Sequence, residues 1–198
     1  MPRLILAALL SLTFAVPPAA QEVLHAAAER ARGKIESIIA NGEAPGDRHV
    51  APVRTTLTEA EVNAFLQVHG PEILPEGITR PEIRLGEDSR VRARATIDLD
   101  DVRRSRPRAW NDPLAYVVGS VDVVASGRIV ADDGAARAQL ESATVAGLSV
   151  PKSVVQELLR FYTVTPERPE GFNLDEPFML PADIRRLVVR RGHATIVQ

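Results

Sequence analysis

The stretch from Tyr116 to Ala131 constrains this chain more than any other. Its odd positions read Val117, Gly119, Val121, Val123, Ala125, Gly127, Ile129 and Ala131, while its even positions include Ser120, Asp122, Ser126 and Arg128. Apolar side chains at every second position place one face of an extended strand in a dry interior and the other in water, the pattern of an antiparallel sheet. Unbroken, the run is about 16 residues, or roughly 50 Å of strand at about 3.3 Å per residue. Ordinary strands run to about 5–6 residues. One this long must bend, and Gly119 and Gly127 are where a bend or bulge is expected. Asp132-Asp133-Gly134 then makes a tight turn, and a return strand over Ala136–Ala146 sets Ala136, Ala138 and Leu140 against Arg137, Gln139 and Glu141.

Other segments repeat the theme. Arg90–Leu99 alternates without error, with Val91, Ala93, Ala95, Ile97 and Leu99 on one face and Arg90, Arg92, Arg94, Thr96 and Asp98 on the other. It follows a short strand, Ile83–Leu85, across a turn at Gly86–Ser89. The chain closes on a hairpin, Ile184–Arg190 and His193–Val197, turned by Arg191-Gly192. Between the strands lie helical patterns. Glu22–Ala40 carries apolar residues at helical spacing and stops at Asn41-Gly42, followed by a linker to Pro52. Thr58 with Glu61 forms a capping box, opening a helix that carries Val62, Phe65 and Leu66 and is expected to end at Gly70-Pro71. A Pro- and Gly-punctuated connection then runs to Pro81. Pro151 opens another helix, with Val154, Val155, Leu158, Leu159 and Phe161 on its apolar side. The fold class expected is α+β: a long curved antiparallel sheet wrapped around amphipathic helices. It occupies 53–198, preceded by an N-terminal helix and linker over 21–52.

Residues 1–20 read as a secretory signal peptide. Arg3 precedes the uncharged run Leu4–Val16, and Pro17-Pro18-Ala19-Ala20 supplies a small-residue end where cleavage is expected. That run is shorter than the roughly 20 apolar residues a bilayer-spanning helix needs. An exported, periplasmic or secreted location follows as the expectation. The absence of cysteine removes disulfides, thiolate catalysis and Cys-ligated zinc together.

Composition then narrows the chemistry. A net charge of −2 gives nucleic acid no electrostatic handle. No nucleophile elbow, phosphate-binding loop or dinucleotide fingerprint is present, and the four histidines lack metal-ligand spacing apart from His25 with Glu29, a pair expected on a polar helix surface. The Asp98–Asp101 run lacks the glycine-centred loop of a calcium site and is expected to be a solvated strand end. No cofactor, metal or catalytic residue is therefore expected. Two arginine clusters stand out: Arg103, Arg104, Arg106 and Arg108 in an expected loop, and Arg185, Arg186, Arg190 and Arg191 at the terminal hairpin. Guanidinium forks suit an anionic head group or membrane surface.

Three segments in order carry a family resemblance: Leu57-Thr58-x-x-Glu61-x-Asn63-x-Phe65-Leu66, then Gly147-x-x-Val150-Pro151, then Pro177-Phe178-x-Leu180-Pro181-x-x-Ile184. This order resembles small exported bacterial proteins of the tubular lipid-binding (TULIP, BPI-like) type and the repeat units of AsmA-like envelope proteins. The resemblance implies a strongly curved sheet with an apolar groove for acyl chains, and no catalytic residues. The residues' own pattern nominates the lining. Only 4% of the chain is aromatic, so a broad face of Val, Ala and Gly has little bulk to cover it. The expected groove is Phe65, Leu66, Val117, Val121, Val123, Ile129, Leu140, Leu158 and Phe161, with Arg185, Arg186 and Arg190 for a head group. A lipid or other apolar ligand is the expected partner. An envelope module docking a partner protein through its sheet is the alternative.

Overall fold

A computed structural model of the chain describes residues 18–43, 51–104, 118–164 and 169–198. In order, the elements are α1 (Pro18–Glu43), β1 (Arg54–Thr58), α2 (Glu59–Ile73), β2 (Ile78–Leu85), β3 (Arg90–Asp98) and α3 (Leu99–Arg104). They continue with β4 (Ser120–Asp132), β5 (Ala135–Val145), β6 (Leu148–Ser149), α4 (Lys152–Tyr162), β7 (Phe178–Met179), β8 (Arg186–Arg190) and β9 (His193–Val197). The strands form one antiparallel sheet in the order β1-β9-β8-β4-β3-β2, with β5 also paired to β4, and β6 and β7 paired to β5. The sheet curls through 242° into a half-barrel.

β4 explains the curl. From Ser120 to Arg128 it pairs with β3, from Val123 onward it pairs with β5, and at Ala131 it reaches Leu187 of β8. One long strand thus serves two sets of neighbours, with β8 beginning where β3 has ended. Its register against β5 slips between Ser126 and Gly127. Only glycine fits there, because a Cβ at position 127 would overlap the Gln139 carbonyl oxygen. A bulge bends its strand and sharpens the local twist. The strand starts just after Gly119, whose φ of +84° suits glycine. Tyr116 and Val117, expected at its start, lie outside the described residues.

α2 closes the open edge of the sheet. Thr58 Oγ1 accepts the Glu61 N–H at 3.2 Å and the Glu61 carboxylate accepts the Thr58 N–H at 2.9 Å, the capping box expected from the sequence. Glu59 and Asn63, one helical turn apart, reach the outer edge of β2. Asn63 accepts the Ile83 N–H at 2.7 Å and donates to the Ile83 carbonyl at 2.8 Å, and Glu59 accepts the Leu85 N–H at 2.7 Å. These side chains stand in for a neighbouring strand and satisfy backbone groups that an exposed edge would leave unpaired.

Three local expectations are corrected. α2 runs through Gly70-Pro71 to Ile73. Proline's fixed φ is compatible with the last helical turn, where it removes one backbone bond, and Leu74 N–H closes the helix on the Gly70 carbonyl at 2.8 Å. β2 begins at Ile78, inside the expected connection. Its register shift between Thr79 and Glu82 accommodates Arg80 (φ +50°) and Pro81, a proline tolerated on an edge strand at a bulge. Arg103 and Arg104 fall in the short helix α3 rather than a loop; Arg106 and Arg108 lie outside the described residues. The Asp98 carboxylate caps α3 by accepting the N–H groups of Asp100 and Asp101 at 2.9 and 3.1 Å.

α1 packs on α2 through small residues, Ala27 and Ala28 against Ala64, flanked by Leu24 and Val68. The Lys34 ammonium donates to the Glu61 carboxylate at 2.8 Å and to the Thr56 carbonyl at 2.8 Å. At the far end of α1, Gln198 Nε2 donates to the carbonyls of Ile38 and Ala182 at 2.7 and 2.6 Å. The C-terminal half of α1 is therefore fastened to α2, β1 and Gln198.

Candidate ligand-binding site

Cross-strand partners project from the same side of a sheet, so the register assigns each residue to a face. One face collects Ile83 and Leu85 of β2, Val91, Ala93, Ala95 and Ile97 of β3, and Val121, Val123, Ala125, Gly127, Ile129 and Ala131 of β4. It continues through Ala136, Ala138, Leu140, Ala143 and Val145 of β5, and through Leu187 and Val189 of β8 onto Ala194 and Ile196 of β9. Every one is apolar or glycine. The opposite face carries Arg84, Arg90, Arg92, Arg94, Asp122, Arg128 and Arg137.

Burial is uneven across the apolar face. Leu57, Leu85, Val189 and the small Ala131, Ala136 and Ala143 are buried, whereas Val91, Ala93, Ala95, Val121, Val123, Ala125, Ile129, Ala138 and Leu140 are only half-buried. Among the described residues no large side chain is fully buried. The helices explain this distribution. α2 packs on β1 and β2, α1 packs mainly on α2, and α4 touches the sheet at β5. The centre of the face carries mostly small side chains.

The nominated groove residues fall as follows. Val121, Val123 and Ile129 on β4 and Leu140 on β5 lie together on the apolar face, all half-buried. Phe65 and Leu66 project from α2; the Phe65 ring lies 5.1 Å from that of His69. Leu66 lines a cavity of about 640 Å³ between the end of α2 and the start of β2, with Leu74, Ile78, Pro71, Pro75 and Pro81 as its other apolar walls. Leu158 is half-buried on α4. Val117 and the Phe161 side chain lie outside the described residues.

α4 is held by a strap. Gln156 donates to the Phe172 carbonyl at 3.0 Å and accepts the Leu174 N–H at 2.8 Å, while Thr163 Oγ1 accepts the Phe172 N–H at 2.6 Å. Lys152 and Asp175 form an ion pair at the start of the helix.

Arg185, Arg186 and Arg190, nominated for a head group, are exposed. Arg186 and Arg190 alternate with Leu187 and Val189 and so lie on the face opposite the apolar set. Arg186 Nε donates to Asp132 Oδ1 at 2.9 Å, and that bond holds the Asp132 carboxyl below its ordinary range. On the same polar face the Thr96 hydroxyl donates to Asp122 at 2.6 Å and Arg94 donates at 3.1 Å, and these bonds lower the Asp122 pKa.

Sequence reasoning missed the roles of Glu59 and Asn63, because side-chain bonds to a distant strand leave no periodic signal. It also missed a second cavity, of about 420 Å³, where the tips of the β2–β3 and β8–β9 hairpins meet.

Among the described residues no group of His, Asp or Glu is placed to hold a metal ion, and no helix is long and apolar enough to cross a membrane. Comparison with protein-family models, with characterised proteins and with solved structures finds no match.

Proposed function

We propose that this chain is an exported, non-catalytic carrier that binds a lipid or similar apolar ligand against the centre of its curled sheet. The observation that carries the reading is the apolar expanse of β3, β4 and β5, built from Val, Ala, Ile and Leu, much of it only half-buried and meeting the helices at few points. An acyl chain laid on it would exchange water for aliphatic contact along its length. Each methylene buried contributes about 0.8 kcal/mol, so a ten-carbon stretch contributes on the order of 8 kcal/mol before the losses of immobilisation. Leu66 and the cavity beside it offer room at one side of the sheet for the ligand's remainder. Export rests on the signal-peptide pattern of residues 1–20, and the TULIP-like resemblance agrees with a curled antiparallel sheet.

Native mass spectrometry of the protein purified from a bacterial envelope fraction tests the carrier reading. The expected spectrum contains a lipid adduct that Val121→Asp with Val123→Asp removes. Repeated preparations without adduct, or an adduct that survives both aspartates, would overturn it. A dimer that grows with concentration and carries no lipid would put in its place an envelope module docking through the same face.

A further inference from the structure

The polar face of the sheet holds a feature that the carrier reading does not use. Cross-strand register sets Arg84 of β2 directly beside Arg92 of β3, and Arg90 of β3 directly beside Arg128 of β4. Like charges in directly opposed positions of a sheet repel each other. The compensating carboxylates are too few. Arg84 is met by Glu82 at 2.7 Å and Glu59 at 3.4 Å. A single carboxylate, Glu141, serves both members of the other pair, at 3.8 Å from Arg90 and 2.9 Å from Arg128. The buried Nε of Arg128 still lacks a hydrogen bond, because the approach of Glu141 is not aligned for one. Arg92, the other member of the first pair, has no hydrogen-bond or ion-pair partner among the described residues.

This crowding borders the 420 Å³ cavity. Four guanidinium groups, of Arg84, Arg90, Arg92 and Arg191, line it against two carboxylates, of Glu59 and Glu141, while just outside the lining Glu82 pairs with Arg84 and Glu87 with Arg191 at 3.4 Å. Its frame is fixed by backbone bonds that join the β8–β9 tip to the β2–β3 hairpin and to the start of α2: Gly192 N–H donates to the Leu85 carbonyl at 2.9 Å, and Glu59 N–H donates to the Gly192 carbonyl at 2.8 Å. Gly192, at φ +77°, permits that close turn. A concave, backbone-braced site with an excess of guanidinium groups, one of them without a partner among the described residues, matches the charge and the planar, bidentate geometry that a phosphate oxyanion requires.

We propose that the cavity lined by Arg84, Arg90, Arg92 and Arg191 binds a phosphate group, with Arg92 as its principal ligand. The phosphate would offset the repulsion between the paired arginines, which is why the site tolerates them. This inference stands on the polar face alone and does not require the apolar face to carry lipid.

The test is titration of the full chain with inorganic phosphate, against chloride at equal ionic strength, followed by calorimetry and thermal unfolding. In parallel, flotation with phosphatidylcholine vesicles, with and without phosphatidic acid, separates a free anion from a lipid head group. Phosphate is expected to bind in the micromolar to millimolar range and to raise the unfolding midpoint. Vesicle capture that needs phosphatidic acid, with weak or no binding of free phosphate, assigns the same site to a head group. Arg92→Gln should lower affinity for whichever probe binds at least tenfold. It should leave the phosphate-free midpoint unchanged or higher, since the side chain removed is a repelled one with no partner. Arg137→Gln, on the same face but outside the cavity, should change affinity less than twofold. Binding of neither probe overturns the proposal. So does equal loss from Arg92→Gln and Arg137→Gln, which would mark diffuse attraction to a basic surface.

Discussion

The two ends of the half-barrel and its middle are built on different terms. At the ends, where α2 bridges β1 and β2, the chain uses specific polar contacts. Glu61, only 6% exposed, takes bonds from Lys34 and Thr58, Asn63 and Glu59 complete the edge of β2, and Gln198 fastens α1. In the middle, over β3, β4 and β5, there are ladder hydrogen bonds below and mostly small aliphatic side chains above, the larger of them only partly buried. Rigidity is concentrated at the rim, which holds the curl, and the surface the curl presents is left open. Packing that sealed the middle would stabilise the fold further and leave a ligand no place to lie.

The contrast can be broken most severely at Glu61. Glu61→Ala removes the capping box and the anchor of Lys34 together. A loss of about 2–4 kcal/mol in urea unfolding is expected, below that of a wholly buried pair because Lys34 stays partly solvated. Asn63→Ala should cost about 1–3 kcal/mol, since the Ile83 N–H and carbonyl lose their partners, and light scattering should show added self-association through the uncovered edge. Gly127→Ala should cost a similar or smaller amount, about 1–3 kcal/mol, by forcing a Cβ against Gln139 and loosening the bulge. The smallest effect belongs to the middle: Val123→Ser should change stability by about 1 kcal/mol or less while weakening capture of an apolar ligand.

Acid sharpens the same comparison. Burial pushes the Glu61 carboxyl up, but bonds from Lys34 and from the backbone and hydroxyl of Thr58 outweigh that effect and hold it below its ordinary value of 4.5. A folded-state value lower than the unfolded one means that the stabilisation is complete above pH 4.5 and is lost as pH falls through the lower folded value. Hydrogen exchange should therefore show α1 and the start of α2 opening in acid before the β3–β4 ladder does, and Glu61→Gln should flatten that dependence.

Much of this fold was legible in the sequence, because a period of two with an all-apolar phase is a physical demand on a strand. The alternation in Arg90–Leu99 and Tyr116–Ala131 gave both the faces and the antiparallel pairing, and Gly127 marked the bulge. The Thr58–Glu61 spacing gave the start of α2. What escaped was tertiary in origin. Pro71 reads as a terminator because local propensity does not register how little the last helical turn loses. Ile78 and Thr79 read as a connection because Arg80-Pro81 interrupts the period at the β2 bulge. On the candidate site, alternation placed Val121, Val123, Ile129 and Leu140 on one face. Pattern alone did not reveal that Arg186 is neutralised by Asp132, or that Arg84 and Arg92 stand side by side, since that depends on register between separate strands.

The central claim is that the uncovered middle of the sheet receives an apolar ligand on one face only, and neighbouring positions of β3 test it directly. The chain contains no cysteine, so Ala95→Cys and Arg94→Cys each give a single attachment point for an environment-sensitive fluorophore, on opposite faces of the same strand. On titration with palmitate or dispersed phospholipid, the label at position 95 should shift to the blue and saturate, while the label at position 94 stays at its aqueous emission. Silence at both positions, or equal shifts at both, would contradict the account.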